Sequence, residues 1–145
     1  MMRVMVVEDG EMIRKGIVMA VDWAALDCIV VGEAANGEQA LAVAEDCQPT
    51  LIITDLKMPK MDGLEMVRRL REAGSRAYVI ILTAYDSFAY AQTAIRLGAV
   101  DFLLKPFHDG DLENAVLALQ KRIAAQTAPQ PEPLPGVKPG PKSRY

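Results

Sequence analysis

Hydrophobic and polar positions along the chain follow two different periods. Five short runs are largely apolar on consecutive positions, among them RVMVV near the start and YVIILT in the middle, which is typical of strands covered on both faces. Between these runs, apolar residues recur every three or four positions, as along one face of a helix. The pattern predicts strands at about residues 3–7, 28–32, 51–54, 78–83 and 100–104, and helices at about 11–21, 37–46, from 62 onward, 87–97 and 109–125.

Polar residues at the helix ends support this assignment. Asn36, followed three residues later by Gln39, predicts a capped start for the second helix, and Asp62 predicts one for the third. Gly98 is expected to close the fourth helix. Five strand–helix units with short links predict an α/β fold, a doubly wound five-stranded parallel sheet flanked by five helices.

The segment from residue 126 onward differs in composition from the rest. It holds six of the nine prolines and no apolar periodicity, so we predict a folded domain at 1–125 and a proline-rich linker or disordered tail at 126–145. The net charge of −3 argues against direct binding to nucleic acid or an anionic membrane. No run approaches the ~20 apolar residues of a membrane span, and no signal segment precedes the first strand, so we expect a cytoplasmic protein.

Charged and hydroxyl side chains gather where the predicted strands end. Glu8 and Asp9 follow the first strand, Asp55 the third and Lys105 the fifth, while Thr83 ends the fourth. Because ligands of an open parallel sheet bind beyond the carboxyl ends of its strands, these side chains should meet at one edge. Each residue alone could be a helix cap or a surface group. Chance alone would rarely bring all five residues to the same edge of the sheet.

Three carboxylates in one crevice require compensation. Two of them at ~4 Å repel by about 4 kcal/mol at an effective dielectric near 20. Oxygen-only donors suit Mg²⁺, and the ammonium of Lys105 then brings the site to formal neutrality. Metal, ammonium, hydroxyl and carboxylate nucleophile are the parts of a phosphoryl-transfer site. We therefore predict Mg²⁺-dependent phosphorylation of Asp55.

Four motifs in this order resemble the receiver domain of two-component response regulators: VVEDG, IITDLKMPKMDG, ILTAY and DFLLKPF. The resemblance covers about residues 3–125. It implies that Asp55 is the phosphoacceptor and that Glu8 and Asp9 hold Mg²⁺ together with the backbone carbonyl of Lys57. It further implies that Lys105 contacts the phosphoryl group and that the domain removes its own phosphate by hydrolysis.

The resemblance also implies a conformational switch. Thr83 matches the switch hydroxyl and Phe102 the aromatic switch position, and the peptide before Pro106 would be cis. Gly10 departs from the pattern because a side chain is common after the acid pair, and Phe102 stands where Tyr is frequent. The implied partners are a sensor histidine kinase and, after phosphorylation, a second copy of the domain.

Two longer segments, VDWAALDCIVVGEAANGEQAL and YDSFAYAQTAIRLGAVDFLLKPF, resemble receivers joined to AraC-type helix-turn-helix output domains. This narrower resemblance implies transcription regulation, with DNA contacted only through an output domain that these 145 residues do not include. The alternative is a standalone receiver that acts by protein contact only.

Three rival interpretations fit less of the sequence. An aspartyl phosphatase of the dehalogenase superfamily requires a second Asp two residues after the nucleophile, where this chain has Lys57. A flavodoxin-like cofactor module requires a phosphate-binding loop after the first strand, whereas VEDGEMI is acidic and GxGxxG is absent. Arg68, Arg69 and Arg71 could contact DNA, but a solvated basic helix face is the simpler interpretation.

Overall fold

The computed structural model describes residues 1–84, 88–105 and 110–127. Strands and helices alternate along the chain: β1 Met2–Val7, α1 Glu11–Ala20, β2 Cys28–Ala34, α2 Gly37–Cys47, β3 Leu51–Asp55, α3 Gly63–Glu72, β4 Tyr78–Thr83, α4 Phe88–Arg96, β5 Ala99–Leu104 and α5 Asp111–Thr127. All strands are parallel, in the order β2-β1-β3-β4-β5. The predicted fold class is confirmed.

Alternate residues of each central strand enter two separate cores. On β1, Met5 and Val7 join the core beneath α2 and α3, while Val4 and Val6 join the core beneath α1 and α5. These four side chains are at most 1% exposed. Burial on both faces explains why the strands read as continuous apolar runs rather than as alternating ones.

The predicted capping residues begin their helices as expected. The Asn36 side chain accepts a hydrogen bond from the Gln39 amide at 2.8 Å, and the Gln39 side chain accepts one from the Ala35 amide at 2.6 Å. The Asp62 carboxylate accepts from the Glu65 amide at 2.8 Å. The bonds from the Gln39 and Glu65 amides satisfy groups of the first helical turn that have no partner within the helix.

Strand β2 extends two residues further than predicted. Gly32 was expected to end it, but Glu33 and Ala34 continue the pairing with β1, and the register shifts between Val4 and Met5. Gly32 is required for packing instead, because a Cβ there would lie 2.6 Å from a side-chain carbon of Val43. A single 3-10 turn, Ala24–Leu26, precedes β2 and was not predicted.

Several sequence predictions fall at the margins of the described structure. Helix α5 continues to Thr127, two residues past the predicted domain boundary, and that boundary stays a prediction. The peptide before Pro106 and residues 128–145 lie outside the described residues. Within the described ranges, no helix is both long and apolar enough to cross a membrane.

Candidate functional site

The β1–α1 loop brings two carboxylates to the carboxyl edge of the sheet. Glu8 directly follows β1 and is 3% exposed, whereas Asp9 is exposed. The Glu8 amide donates to the Ala34 carbonyl of β2 at 3.0 Å, and a Glu8 carboxylate oxygen accepts from the Gly10 amide at 3.3 Å. The backbone thus holds Glu8 at the end of the strand while Asp9 faces solvent.

Asp55 ends the central strand β3, and backbone groups of the residues that follow it fix its position. Its Oδ1 accepts a hydrogen bond from the Leu56 amide at 2.6 Å. The next loop returns to this point, where the Gly63 amide donates to the Leu56 carbonyl at 2.7 Å. A Cβ on Gly63 would lie 2.3 Å from the Asp55 carbonyl oxygen, so only glycine permits this approach. Glycine therefore fixes the backbone that presents the Asp55 carboxylate.

Lys105 links the two strand ends. Its Nζ lies 3.1 Å from Glu8 Oε2 and 3.1 Å from Asp55 Oδ2. The three side chains are 22%, 4% and 13% exposed, respectively. The Lys105 amide donates to the Thr83 carbonyl at 2.7 Å, which fixes the chain where β5 ends. The Lys105 ammonium therefore forms ion pairs with two carboxylates at the edge of the sheet.

Glu8, Asp9 and Asp55 form an acidic cluster that could hold a cation. Each offers a carboxylate oxygen, and the three oxygens lie within 4.8 Å of one another. Hard divalent cations such as Mg²⁺ prefer oxygen ligands of this kind and keep several waters. The donor set therefore fits a magnesium ion.

The charges in this cluster shift one another's protonation. Burial, followed by the hydrogen bond and the charge of Asp55, raises the pKa of Glu8 from its ordinary 4.5 to about 7, against an opposing effect of Lys105. Burial alone would lower the pKa of Lys105, but the charge of Asp55 and the hydrogen bonds to both carboxylates outweigh it, so the pKa is raised. The ammonium is thus stabilised while the Glu8 carboxylate is disfavoured.

The other predicted site residues lie on β4, on β5 and in the loop after β3. Thr83 is fully buried at the end of β4, one residue beyond the pairing of Asp55 with Leu82. Phe102 is half-buried on β5 and packs against the core beneath α2 and α3. Lys57 follows Asp55 by two residues in the loop toward α3. The sequence order thus places these residues near the same edge, and their roles remain predictions.

The arginines of α3 do not form a single solvated basic face. Arg68 and Arg69 pair with acidic residues of their own helix, Arg69 with Glu65 at 3.0 Å. Arg71 turns inward, where its Nε donates to the Leu97 carbonyl at 2.9 Å, which corrects its assignment to the solvated face. These pairings weaken the interpretation of α3 as a DNA contact.

Sequence reasoning missed Arg14 as part of the site. The Arg14 guanidinium donates to the Glu8 backbone carbonyl at 2.8 Å and to Glu33 at 3.2 Å. The only sequence signal for this contact was the position of Arg14 one helical turn after Gly10. In the structure, the Arg14 amide donates to the Gly10 carbonyl. A basic residue on a surface helix otherwise reads as solvated.

Comparison with known proteins identifies a family and several relatives. A family model described as the response regulator receiver domain matches residues 4–117. The transcriptional regulatory protein YesN of Bacillus subtilis is 31% identical over 124 residues, which cover 86% of this chain and 33% of YesN. The nitrate/nitrite response regulator NarL of Escherichia coli K12 is 36% identical over 113 residues, which cover 78% of this chain and 52% of NarL.

A solved structure with the same fold is the REC domain of AraT, a response regulator from Geobacillus stearothermophilus. It superposes with a TM-score of 0.78 at 37% identity, and the match covers 86% of this chain and 97% of that one. By contrast, the chain spans only between 33% and 52% of the length of the two relatives above. The likeness therefore concerns one domain of those longer proteins.

Proposed function

Because the chain belongs to the family of response regulator receiver domains, we propose that it is switched by a phosphoryl group carried on Asp55. The observation that carries this proposal is the position of Lys105, whose Nζ lies 3.1 Å from both Asp55 and Glu8. An ammonium held beside a carboxylate at a strand end is placed to receive anionic oxygens as well. The phosphate donor that we propose is a sensor histidine kinase.

The transfer that we propose leaves the phosphoryl group bonded to Asp55. A carboxylate oxygen of Asp55 attacks phosphorus while the bond from phosphorus to the donor's histidine nitrogen breaks, and that nitrogen keeps the electron pair. Lys105 offers its protons to the anionic oxygens of the group in transit. Attack of water on the resulting acyl phosphate releases inorganic phosphate and restores the Asp55 carboxylate.

The metal that fits this site is Mg²⁺. We propose that Glu8, Asp9 and Asp55 hold it through carboxylate oxygens, with the Lys57 carbonyl as a further ligand. When bound, the ion neutralises charge on the carboxylates and on the phosphoryl oxygens. Support comes from the clustering of the three carboxylates within 4.8 Å and from the unfavourable ionisation of Glu8 in the absence of an ion.

Labelling with acetyl phosphate tests the phosphoacceptor. With Mg²⁺ present, we expect the intact mass of the wild type to show one phosphoryl adduct and Asp55→Asn to show none. Asp62→Asn is the matched control, because it makes the same chemical change nearby and asparagine can still cap α3. Equal labelling of wild type and Asp55→Asn would refute the assignment of Asp55.

We further propose that Thr83 and Phe102 convert phosphorylation into a change of the surface formed by α4, β5 and α5. A phosphoryl oxygen on Asp55 would draw the Thr83 hydroxyl inward, since hydrogen bonds to charged oxygens are stronger than neutral ones. The half-buried Phe102 ring could then turn toward the vacated space. A difference of a few kcal/mol between the two states suffices to shift their populations.

Sedimentation tests this switch and the predicted homodimer together. We expect the phosphate mimic beryllofluoride with Mg²⁺ to promote association of the wild type and to have a smaller effect on Thr83→Ala. Amide exchange on α4 and α5 should change in parallel. If the mimic binds both proteins and changes neither association nor exchange, the switch does not operate through Thr83.

The output of the switch is a proposal about a longer protein. Relatives such as YesN are named as transcriptional regulators, so we propose that this domain controls transcription through an AraC-type DNA-binding domain. The alternative, a standalone receiver that acts by protein contact only, predicts no such domain in the reading frame. The extent of the reading frame distinguishes the two.

A further inference from the structure

The backbone of the acidic β1–α1 loop is held by a side chain of the following helix. Arg14 Nη1 donates to the Glu8 carbonyl at 2.8 Å, and Arg14 Nε donates to Glu33 Oε1 at 3.2 Å. The Arg14 side chain is only 13% exposed, and the Glu33 side chain on β2 is 27% exposed. A fork of two donors thus ties the loop to the edge strand of the sheet.

This contact completes the fixation of Glu8. Its amide donates to the Ala34 carbonyl at 3.0 Å, so β2 holds one side of the residue and Arg14 holds the other. Gly10 follows with a backbone of φ −77° and ψ 114° and no capping side chain, and its carbonyl accepts from the Arg14 amide at 2.8 Å. Arg14 therefore contacts the loop at two points: its side chain donates to the Glu8 carbonyl and its amide donates to the Gly10 carbonyl.

The positive charge of Arg14 cannot explain why Arg14 would raise the affinity of the acidic cluster for Mg²⁺. A cation near the acidic cluster repels Mg²⁺, so on Coulombic grounds its removal would tighten binding. Lys15 carries the same charge and contacts the other oxygen of Glu33 at 3.0 Å, but it is 51% exposed. Any loss of Mg²⁺ affinity on removal of Arg14 would therefore come from the lost hydrogen bond to the loop.

We propose that Arg14 is a positioning residue, which acts through the Glu8 backbone and is braced by Glu33 to set the Mg²⁺ affinity of the acidic cluster. The inference rests on the proposed function, because it assumes that the cluster binds Mg²⁺ for phosphorylation of Asp55. Side chains that orient metal ligands typically change metal affinity by about 10–100-fold when they are removed.

Three variants separate geometry from charge. Arg14→Met removes charge and hydrogen bonds, Arg14→Lys keeps the charge but replaces the planar fork by one ammonium, and Lys15→Met removes the matched neighbouring charge. Calorimetric titration with Mg²⁺ should show affinity weakened by about tenfold in Arg14→Met and by less in Arg14→Lys. Lys15→Met should bind Mg²⁺ as tightly as the wild type or slightly more tightly.

Labelling by acetyl phosphate provides a second measurement. The Mg²⁺ concentration for half-maximal rate should rise in both Arg14 variants, while the rate at saturating Mg²⁺ stays close to that of the wild type. If Arg14→Met does not fold, Arg14→Lys takes its place in both measurements, because it retains the positive charge. Wild-type affinity in Arg14→Lys, or equal affinities in Arg14→Met and Lys15→Met, would overturn the inference. Absence of Mg²⁺-dependent labelling in the wild type would instead overturn the proposed function and this inference together.

Discussion

Replacement of Glu8 by Gln should change how the stability of the metal-free domain depends on pH. Burial and the neighbouring Asp55 raise the pKa of Glu8 to about 7 in the folded state from an ordinary 4.5. The folded state therefore retains a proton that the unfolded state releases between these two values. Below pH 4.5 both states are protonated, so this stabilising contribution is fully present there, and it is lost as the pH rises to 7.

The magnitude follows from the size of the shift. The two pKa values differ by about 2.5 units, and each unit corresponds to about 1.4 kcal/mol, so ionisation of Glu8 costs the wild type at most about 3–4 kcal/mol by pH 8. Gln cannot ionise, yet its amide can still accept a hydrogen bond from Lys105. The stability of E8Q relative to the wild type should therefore increase by up to this amount between pH 4.5 and pH 8.

Urea denaturation in EDTA, followed by circular dichroism from pH 4.5 to 8.5, measures this difference. Glu33→Gln is the control of opposite sign. Burial alone would raise the pKa of Glu33, but the hydrogen bonds from Lys15 and Arg14 outweigh it and lower the pKa. Removal of Glu33 should therefore cost stability throughout this pH range, and the cost should decrease only below pH 4.5. A stability difference between E8Q and wild type that does not vary with pH would refute the reasoning about Glu8.

Three further substitutions probe the same edge of the sheet, and a fourth, in α1, is a control for the glycine replacement. Lys105→Ala should unfold cooperatively with a loss of about 1–3 kcal/mol, because it removes a hydrogen-bond donor from two largely buried carboxylates. The variant should also lose the response to beryllofluoride in amide exchange. Asp9→Asn should weaken Mg²⁺ binding in calorimetry by more than about tenfold. Loss of a direct ligand should cost more than the roughly tenfold expected for a residue that only orients a ligand. Gly63→Ala should destabilise by about 1–3 kcal/mol in urea, since its Cβ would lie 2.3 Å from the Asp55 carbonyl oxygen. Gly16→Ala, which meets nothing within 4 Å, should instead stabilise α1 by about 1 kcal/mol.

Most of the fold could be predicted because its signals are local. Apolar runs located each strand, and the capping residues Asn36 and Asp62 located two helix starts. The end of β2 could not be predicted, because Gly32 resembles a strand terminator and its actual reason is the proximity of Val43 on α2. That reason depends on packing between elements, which no local pattern encodes.

The candidate site divides in the same way. The rule that ligands bind at the carboxyl ends of parallel strands predicted the common edge for Glu8, Asp55 and Lys105. It did not predict that one ammonium contacts both carboxylates, nor that Arg14 reaches the Glu8 carbonyl. These contacts depend on distances of a few ångströms between residues distant in sequence, and the raised pKa of Glu8 depends on burial that only the folded chain creates.

The acidic cluster combines a net negative charge with a fixed backbone. Three carboxylates face one ammonium, which leaves a formal charge of −2, the charge that a divalent cation neutralises. The backbone of two of these residues is fixed, because Gly63 packs against the Asp55 carbonyl and Arg14 holds the Glu8 carbonyl. Relief then requires a proton or a cation, and a proton on Glu8 competes with Mg²⁺ for the same oxygen. Mg²⁺ should therefore stabilise the domain more at pH 8 than at pH 5, which urea denaturation with and without Mg²⁺ at the two pH values measures.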